Sequence, residues 1–218
     1  MVTRLVRVIL YTALICSTLF LVMRLKAGFY WPGNQQDYEP IQPIAFSHQQ
    51  HAGKLQISCL YCHSGAESSR HAGIPPAGLC MNCHRLVTAG RDQVVQEYST
   101  AERVRRPAEP LISPELQKLY DALGLDKQLE PDPNKKPTPI SWVKVYNLPA
   151  FSCFDHRPHV HAGVTCQQCH GPVETMERVR QVGDLSMGWC IKCHRETGLT
   201  YASVKKSRPS TDCATCHY

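Results

Sequence analysis

Apolar residues are unevenly spread along these 218 residues, and three stretches show a readable pattern. The first is continuous: Val8 to Met23 carries no charge. That run is slightly shorter than the roughly 20 residues a bilayer needs. Leu5-Val6 and Leu25 extend it, and Arg7 and Arg24 can snorkel their charges to the interfaces. Phe29-Tyr30-Trp31 follows where an interfacial aromatic belt would lie. Residues 1–30 are therefore expected to form an N-terminal transmembrane helix. A cleaved signal peptide is the competing reading, but no small-x-small site follows the run and Arg24 and Lys26 occupy that region. Cys16 also lacks the small residue in front of it that a lipid-attachment cysteine wants.

The second pattern has helical spacing. Ser113 is a natural N-cap and Pro114 suits the first helical position; Leu116, Leu119, Tyr120 and Leu123 then share one face, and Gly124 ends the helix. Such a stripe predicts packing, on the rest of the chain or on a partner. The third pattern alternates: Trp142-Val143-Lys144-Val145-Tyr146 reads as a short strand. The proline-rich stretch Pro131 to Pro139 between them predicts an extended connection.

Elsewhere no period is sustained, and 16 prolines interrupt the chain. The hydrophobic share of 43% is ordinary, but part of it sits in the N-terminal run, so one large aliphatic core is not expected. Something other than the side chains must supply apolar volume. The cysteines say what.

Ten of the twelve cysteines fall in five Cys-x-x-Cys-His motifs. They are Cys59, Cys62 and His63; Cys80, Cys83 and His84; Cys166, Cys169 and His170; Cys190, Cys193 and His194; and Cys213, Cys216 and His217. Two thiols for the vinyl groups and a histidine for the iron make each a c-type haem attachment site. Zinc knuckles use paired Cys-x-x-Cys motifs, but leave the invariant histidine unexplained and fit an odd number of pairs poorly. Disulfides would leave the histidines unexplained too. The expected fold is a multihaem cytochrome c, mostly irregular with short helices packed around five covalently bound haems, and the apo-chain is expected to be largely unfolded. The proximal ligands are then His63, His84, His170, His194 and His217.

Six histidines remain: His48, His51, His71, His156, His159 and His161. Phe46-Ser47-His48-Gln49-Gln50-His51 stands ahead of the first motif, and Phe154-Asp155-His156-Arg157-Pro158-His159 ahead of the third. This internal repeat predicts a duplicated unit. Residues three apart on a helix lie on one face, so a His-x-x-His pair cannot clamp both sides of one flat ring and must serve two. His48, His51, His156 and His159 are read as distal ligands on that ground, and His71 because five irons need five. His161 is read as a non-ligand, since the repeat register from Phe154 already selects His156 and His159. Met187, three residues before Cys190, is the thioether alternative and would raise that haem's potential, though methionine there is more often packing. The expected organisation is an anchor over 1–30, a di-haem module over 31–90, a haem-free linker or docking segment over 91–150 and a three-haem module over 151–218.

The formal charge of +6 omits the cofactors. Haem propionates outweigh the ferric charge, so the oxidised holoprotein should sit at roughly +1 and the reduced one near −4. Lysine and arginine are then propionate partners; no basic run interleaved with aromatics points to nucleic acid. The charges flanking the apolar run are balanced, so they do not orient it. Because c-type haem is attached outside the cytoplasm, residues 1–7 are expected inside and everything after about residue 26 on the periplasmic or extracytoplasmic side.

The anchor, the five motifs, the Phe-Ser-His-x-x-His-Ala-Gly opening, His71-Ala72-Gly73-Ile74-Pro75 before the second motif and Met187-Gly188-Trp189-Cys190 at the fourth together resemble one family. It is the pentahaem cytochrome c subunit of alternative complex III, a quinol-oxidising complex. Each half is also similar to the small class III multihaem cytochromes. The resemblance implies electron relay, not catalysis, within a membrane complex. Its partners would be an iron–sulfur subunit, polytopic quinol-binding subunits and a monohaem cytochrome c, delivering to a soluble or membrane-bound acceptor. The chain departs from the family pattern at His161, where a small polar residue is usual. A pentahaem nitrite reductase would need lysine after one Cys-x-x-Cys, and none has it. A stand-alone membrane-anchored quinol dehydrogenase shares the architecture; the haem-free middle, easier to explain as a docking surface, argues for the complex.

Overall fold

In a computed structural model the described residues are 2–26, 35–196 and 209–218. Helix α1 (Val2–Lys26) contains the apolar run, and the stretch Arg4–Val22 is long and apolar enough to cross a membrane. Its side chains are exposed over residues 4–22, as lipid-facing positions would be. The proposed aromatic belt at Phe29-Tyr30-Trp31 lies outside the described residues.

The remainder is short helices joined by irregular chain. They are α2 (Cys59–Cys62), α3 (Gly65–Ser68), α4 (Ala77–His84), α5 (Arg91–Arg103), α6 (Pro114–Ala122), α7 (His156–His161), α8 (Cys166–His170), α9 (Met187–Glu196) and α10 (Cys213–Cys216). A π-helical turn covers Gln49–Lys54 and a 3₁₀ turn Val173–Thr175. Among the described residues no strand forms.

Buried apolar residues are few: Ala66, Ala89, Ala101, Leu119, Tyr120 and Met176 among those described. Three are alanines, so the polypeptide alone has no core of the size a chain this long normally builds. The sequence expectation of a chain without an aliphatic centre holds.

Helix α6 follows its sequence signals. The Ser113 Oγ accepts from the Leu116 N–H at 3.3 Å, Pro114 occupies the first turn, and the helix stops at Ala122. Leu119 and Tyr120 are buried, and the Tyr120 hydroxyl donates to the His84 carbonyl at 2.6 Å. The apolar face thus docks on α4, the helix of the second motif. Helix α5 was not legible as an apolar stripe. It buries only Ala101, and its end is tied by Arg106 to Glu97 and by the Glu109 N–H to the Glu97 carboxylate at 2.8 Å.

The strand expected over 142–146 does not form. Gln42 takes its place: its Oε1 accepts from the Val143 N–H at 2.9 Å and its Nε2 donates to the Val143 carbonyl at 3.0 Å. One side-chain amide satisfies both groups that a neighbouring strand would have paired.

The two repeats interlock directly. The Gln49 N–H bonds the Met176 carbonyl at 2.8 Å, and the Ser47 hydroxyl bonds Glu177 at 2.6 Å. Gly53 lies so close to the 3₁₀ turn that a Cβ on it would sit 2.2 Å from the Glu174 carbonyl oxygen. On another side α3 packs against α7. There the Arg70 carbonyl accepts from both the His156 N–H (3.2 Å) and its Nδ1–H (2.9 Å), while Arg70 Nε donates to the Phe154 carbonyl at 3.1 Å.

Candidate haem-binding sites

Each repeat begins with a phenylalanine that sets two imidazoles. Phe46 stacks on His51 with centroids 4.3 Å apart and meets His48 edge-on at 4.9 Å. Phe154 meets His156 edge-on at 4.8 Å and lies tilted over His159 at 4.6 Å. The Ser47 hydroxyl accepts from the Gln50 N–H at the start of the first turn, and Asp155 caps α7 through the Arg157 N–H. The duplicated spelling is a duplicated geometry.

These four rings face four motif histidines. His48 lies parallel to His63 with centroids 6.5 Å apart and 2° between planes; His156 lies parallel to His170 at 6.4 Å and 4°. His51 faces His84 at 6.0 Å and His159 faces His194 at 6.0 Å, both tilted. A metal–imidazole bond of about 2.0–2.1 Å, with a ring centroid about 1 Å behind each nitrogen, puts two axial imidazoles about 6 Å apart. The four pairs fit an iron between them. The members of each His-x-x-His pair face different motifs, as their spacing on one helical face requires.

Backbone carbonyls choose the tautomer. Since a carbonyl can only accept, each Nδ1 bonded to one carries the hydrogen and leaves Nε2 free for a metal. His63 bonds the Gly73 carbonyl (2.7 Å), His84 that of Val87 (2.8 Å), His194 that of Ser210 (2.7 Å) and His217 that of Phe151 (2.9 Å). Among the facing rings, His51 bonds Ser47, His156 bonds Arg70 and His159 bonds Asp155. Gly73 reaches its position with φ +77, a conformation glycine adopts without strain. His170 is held by Tyr146, whose ring meets it edge-on at 4.4 Å and whose hydroxyl bonds the His170 carbonyl at 2.9 Å. Nδ1 of His48 is buried without a partner.

Burial keeps these rings neutral, the form a metal ligand needs. It pushes His48 down to about 4, helped by the nearby His63 and His51, and His170 to about 4, helped by His156 and His63; His159 is also lowered, chiefly by burial. Burial raises the thiols of Cys62, Cys80, Cys166, Cys169 and Cys190. Among the described residues no three His, Cys, Asp or Glu side chains converge on one point. Two facing imidazoles, the arrangement of axial ligands, occur at four motifs.

Neighbouring motifs are tied to one another. Asn82 of the second donates to the Tyr61 hydroxyl of the first at 3.0 Å, and the Ser210 carbonyl ahead of the fifth accepts from His194 of the fourth at 2.7 Å. The His48–His51 turn faces the first and second motifs, and the His156–His159 turn the third and fourth.

The fifth motif is pinned at two places. Besides the His217 bond, the Cys153 N–H donates to the Cys216 carbonyl at 2.7 Å, and Tyr218 lies under the Arg70 guanidinium, 5.4 Å from it. The ring next to His217 is Phe151 at 5.9 Å, not a histidine. His71 and His161 are both exposed, and among the described residues neither is paired with another imidazole or with a carbonyl through Nδ1. Arg70 and Phe151 act through their carbonyls, which residue type does not announce; Tyr146, which the sequence offers only as the end of a strand, acts through its ring and hydroxyl.

Residues 152–218 match the model of a family described as cytochrome c7 and related cytochrome c. No curated protein matches the chain. The match covers the second repeat and its third, fourth and fifth motifs, and this part of the chain is a multihaem cytochrome c domain.

Proposed function

We propose that the chain is a membrane-anchored pentahaem cytochrome that relays electrons within alternative complex III. Electrons would arrive from quinol oxidation through the iron–sulfur clusters of a partner subunit and leave to a soluble or membrane-bound acceptor. The four facing imidazole pairs carry the reading, because each His-x-x-His turn faces two motifs and a relay needs neighbouring sites held close together.

Haem c supplies a one-electron couple. The residues do the rest. The ten motif cysteines fix each ring covalently. His48 with His63, His51 with His84, His156 with His170 and His159 with His194 would hold four irons from both sides. Closed coordination supports relay over substrate binding. The shared turns, with His48 beside His51 and His156 beside His159, hold neighbouring sites at fixed separation. Helix α1 anchors the chain with its start in the cytoplasm and the haem domain outside. Helices α5 and α6 form the haem-free segment, which rests on the second motif through Tyr120 and presents Val95, Tyr98 and Val104 outward. We assign that outer face to the polytopic and iron–sulfur subunits of the complex.

Gentle extraction and purification through this chain tests the proposal. An iron–sulfur protein and polytopic subunits should co-purify, and quinol oxidation should require them. If the full-length chain alone oxidised menaquinol at the rate of the intact membrane, a stand-alone quinol dehydrogenase would replace the relay.

A further inference from the structure

Among the five motif histidines, His170 is the exception. His63, His84, His194 and His217 are each turned by a backbone carbonyl that accepts the Nδ1 hydrogen at 2.7–2.9 Å. Among the described residues no carbonyl does this for His170. Its ring is nevertheless parallel to that of His156, to within 4°. Something else holds its plane.

Tyr146 stands where it can. Its ring meets the His170 imidazole edge-on, with centroids 4.4 Å apart. Its hydroxyl is fixed by three backbone groups at once. It lies 2.9 Å from the His170 carbonyl oxygen and 3.1 Å from that of Arg180, which share its hydrogen, and it accepts from the Val182 N–H at 3.2 Å. The chain beyond His170 is pressed onto the same place. Gly171 turns there with φ +70, and a Cβ on it would sit 2.7 Å from Cγ2 of Val182. So the phenol is tied down at its far end, and its ring becomes a fixed wall for the imidazole. Tyr146 also closes the haem-free segment, whose other buried contact is the Tyr120 hydroxyl on the His84 carbonyl at 2.6 Å. One tyrosine of that segment reaches a motif histidine in each repeat.

We propose that Tyr146 is the positioning residue of the third iron: its ring, in place of the carbonyl bond used at the other four motifs, holds His170 parallel to His156. An acceptor on the far nitrogen raises the basicity of a ligating histidine. His170 has none, so packing alone decides how it meets the metal. Parallel axial rings donate into the same iron d orbital and split it from its neighbour. That splitting sets the magnetic anisotropy of the haem and contributes to its potential. The haem-free segment therefore does more than cover the core: it tunes one site of the relay.

The inference rests on the haem reading of the third motif, and the test separates the two. Intact mass of the full-length holoprotein comes first, since a protein with no haem on Cys166 and Cys169 would overturn that reading itself. With five haems attached, electron paramagnetic resonance of the oxidised protein reads each low-spin iron. His156→Met replaces the ring opposite His170 and so identifies the third haem by the signal it removes. That signal should be rhombic, as parallel imidazoles require; a single strongly anisotropic feature in its place would overturn the assignment. Tyr146→Leu and Tyr146→Met, neither with a ring, should each shift that signal and one midpoint potential, leaving the other four haems as they were. Tyr146→Phe, which keeps the ring, should hold both near the wild-type values. An unmoved third signal in the ringless variants, or an equal shift in Tyr146→Phe, would overturn the proposal while leaving the haem reading intact.

Discussion

Tyr120→Phe isolates the bond that fastens the haem-free segment to the second motif. The phenol is buried, with 1% of the residue exposed, and its hydroxyl is the hydrogen-bond partner of the His84 carbonyl at 2.6 Å. Phenylalanine keeps the ring and leaves that part-buried carbonyl unsatisfied. Such a loss costs about 1–2 kcal/mol, toward the lower part of the range because water can reach the carbonyl in part. With a guanidinium slope of roughly 4 kcal/mol per molar, the unfolding midpoint of the holoprotein should fall by about 0.25–0.5 M at unchanged slope. Tyr120→Ala adds a cavity and should cost about 3–5 kcal/mol, moving the midpoint by about 1 M. The pH dependence gives a second readout. Burial raises the Tyr120 phenol above its ordinary value near 10. The folded state therefore favours the neutral hydroxyl; its contribution is complete below about pH 10 and is lost as pH rises through the folded value. Tyr146, also raised by burial, is present in both proteins, so Tyr120→Phe should show the shallower alkaline decline. A midpoint unchanged within about 0.1 M, or identical alkaline limbs, would refute the argument that this hydroxyl bond holds α6 on α4.

Three further outcomes are expected. Gly53→Ala should cost about 1–3 kcal/mol in the same unfolding assay, because its Cβ meets the backbone oxygen of Glu174, while Gly78→Ala in α4, with open space around it, should be neutral or slightly stabilising. Intact mass of membrane-extracted protein should equal the polypeptide plus five haems with the N-terminus kept; loss of roughly the first 27 residues would show a cleaved leader instead of an anchor. Chain made without haem attachment should show little helix by far-UV circular dichroism and no cooperative melt, since so few apolar side chains are buried without the cofactors. A cooperative apo-melt would mean that the polypeptide has a core of its own.

Much of the molecule was legible because its signals are local. The five motifs carry their own chemistry, and α6 carries its own cap, proline and stripe. The apolar run is long enough to read without context. What failed was also local in form but tertiary in cause. The alternation over 142–146 has the period of a strand, yet Gln42, about a hundred residues earlier, takes the hydrogen bonds a neighbouring strand would have made. Helix α5 escaped notice because it has little to bury.

The sequence by itself determined which atoms can bind haem: ten paired thiols, five motif histidines and two His-x-x-His turns whose spacing forbids both members from serving one ring. Covalent and short-range geometry suffices for that, since residues three or four apart have no choice of relative position. Only the tertiary structure decided which imidazole faces which motif, and that the ring beside His217 is Phe151. Those facts depend on where segments a hundred residues apart come to rest. They are set by contacts that residue type does not encode, such as the Arg70 carbonyl on His156 and the Phe151 carbonyl on His217. Every non-proline residue offers the same carbonyl and amide, so the backbone groups that orient these ligands cannot be told apart until the chain has folded.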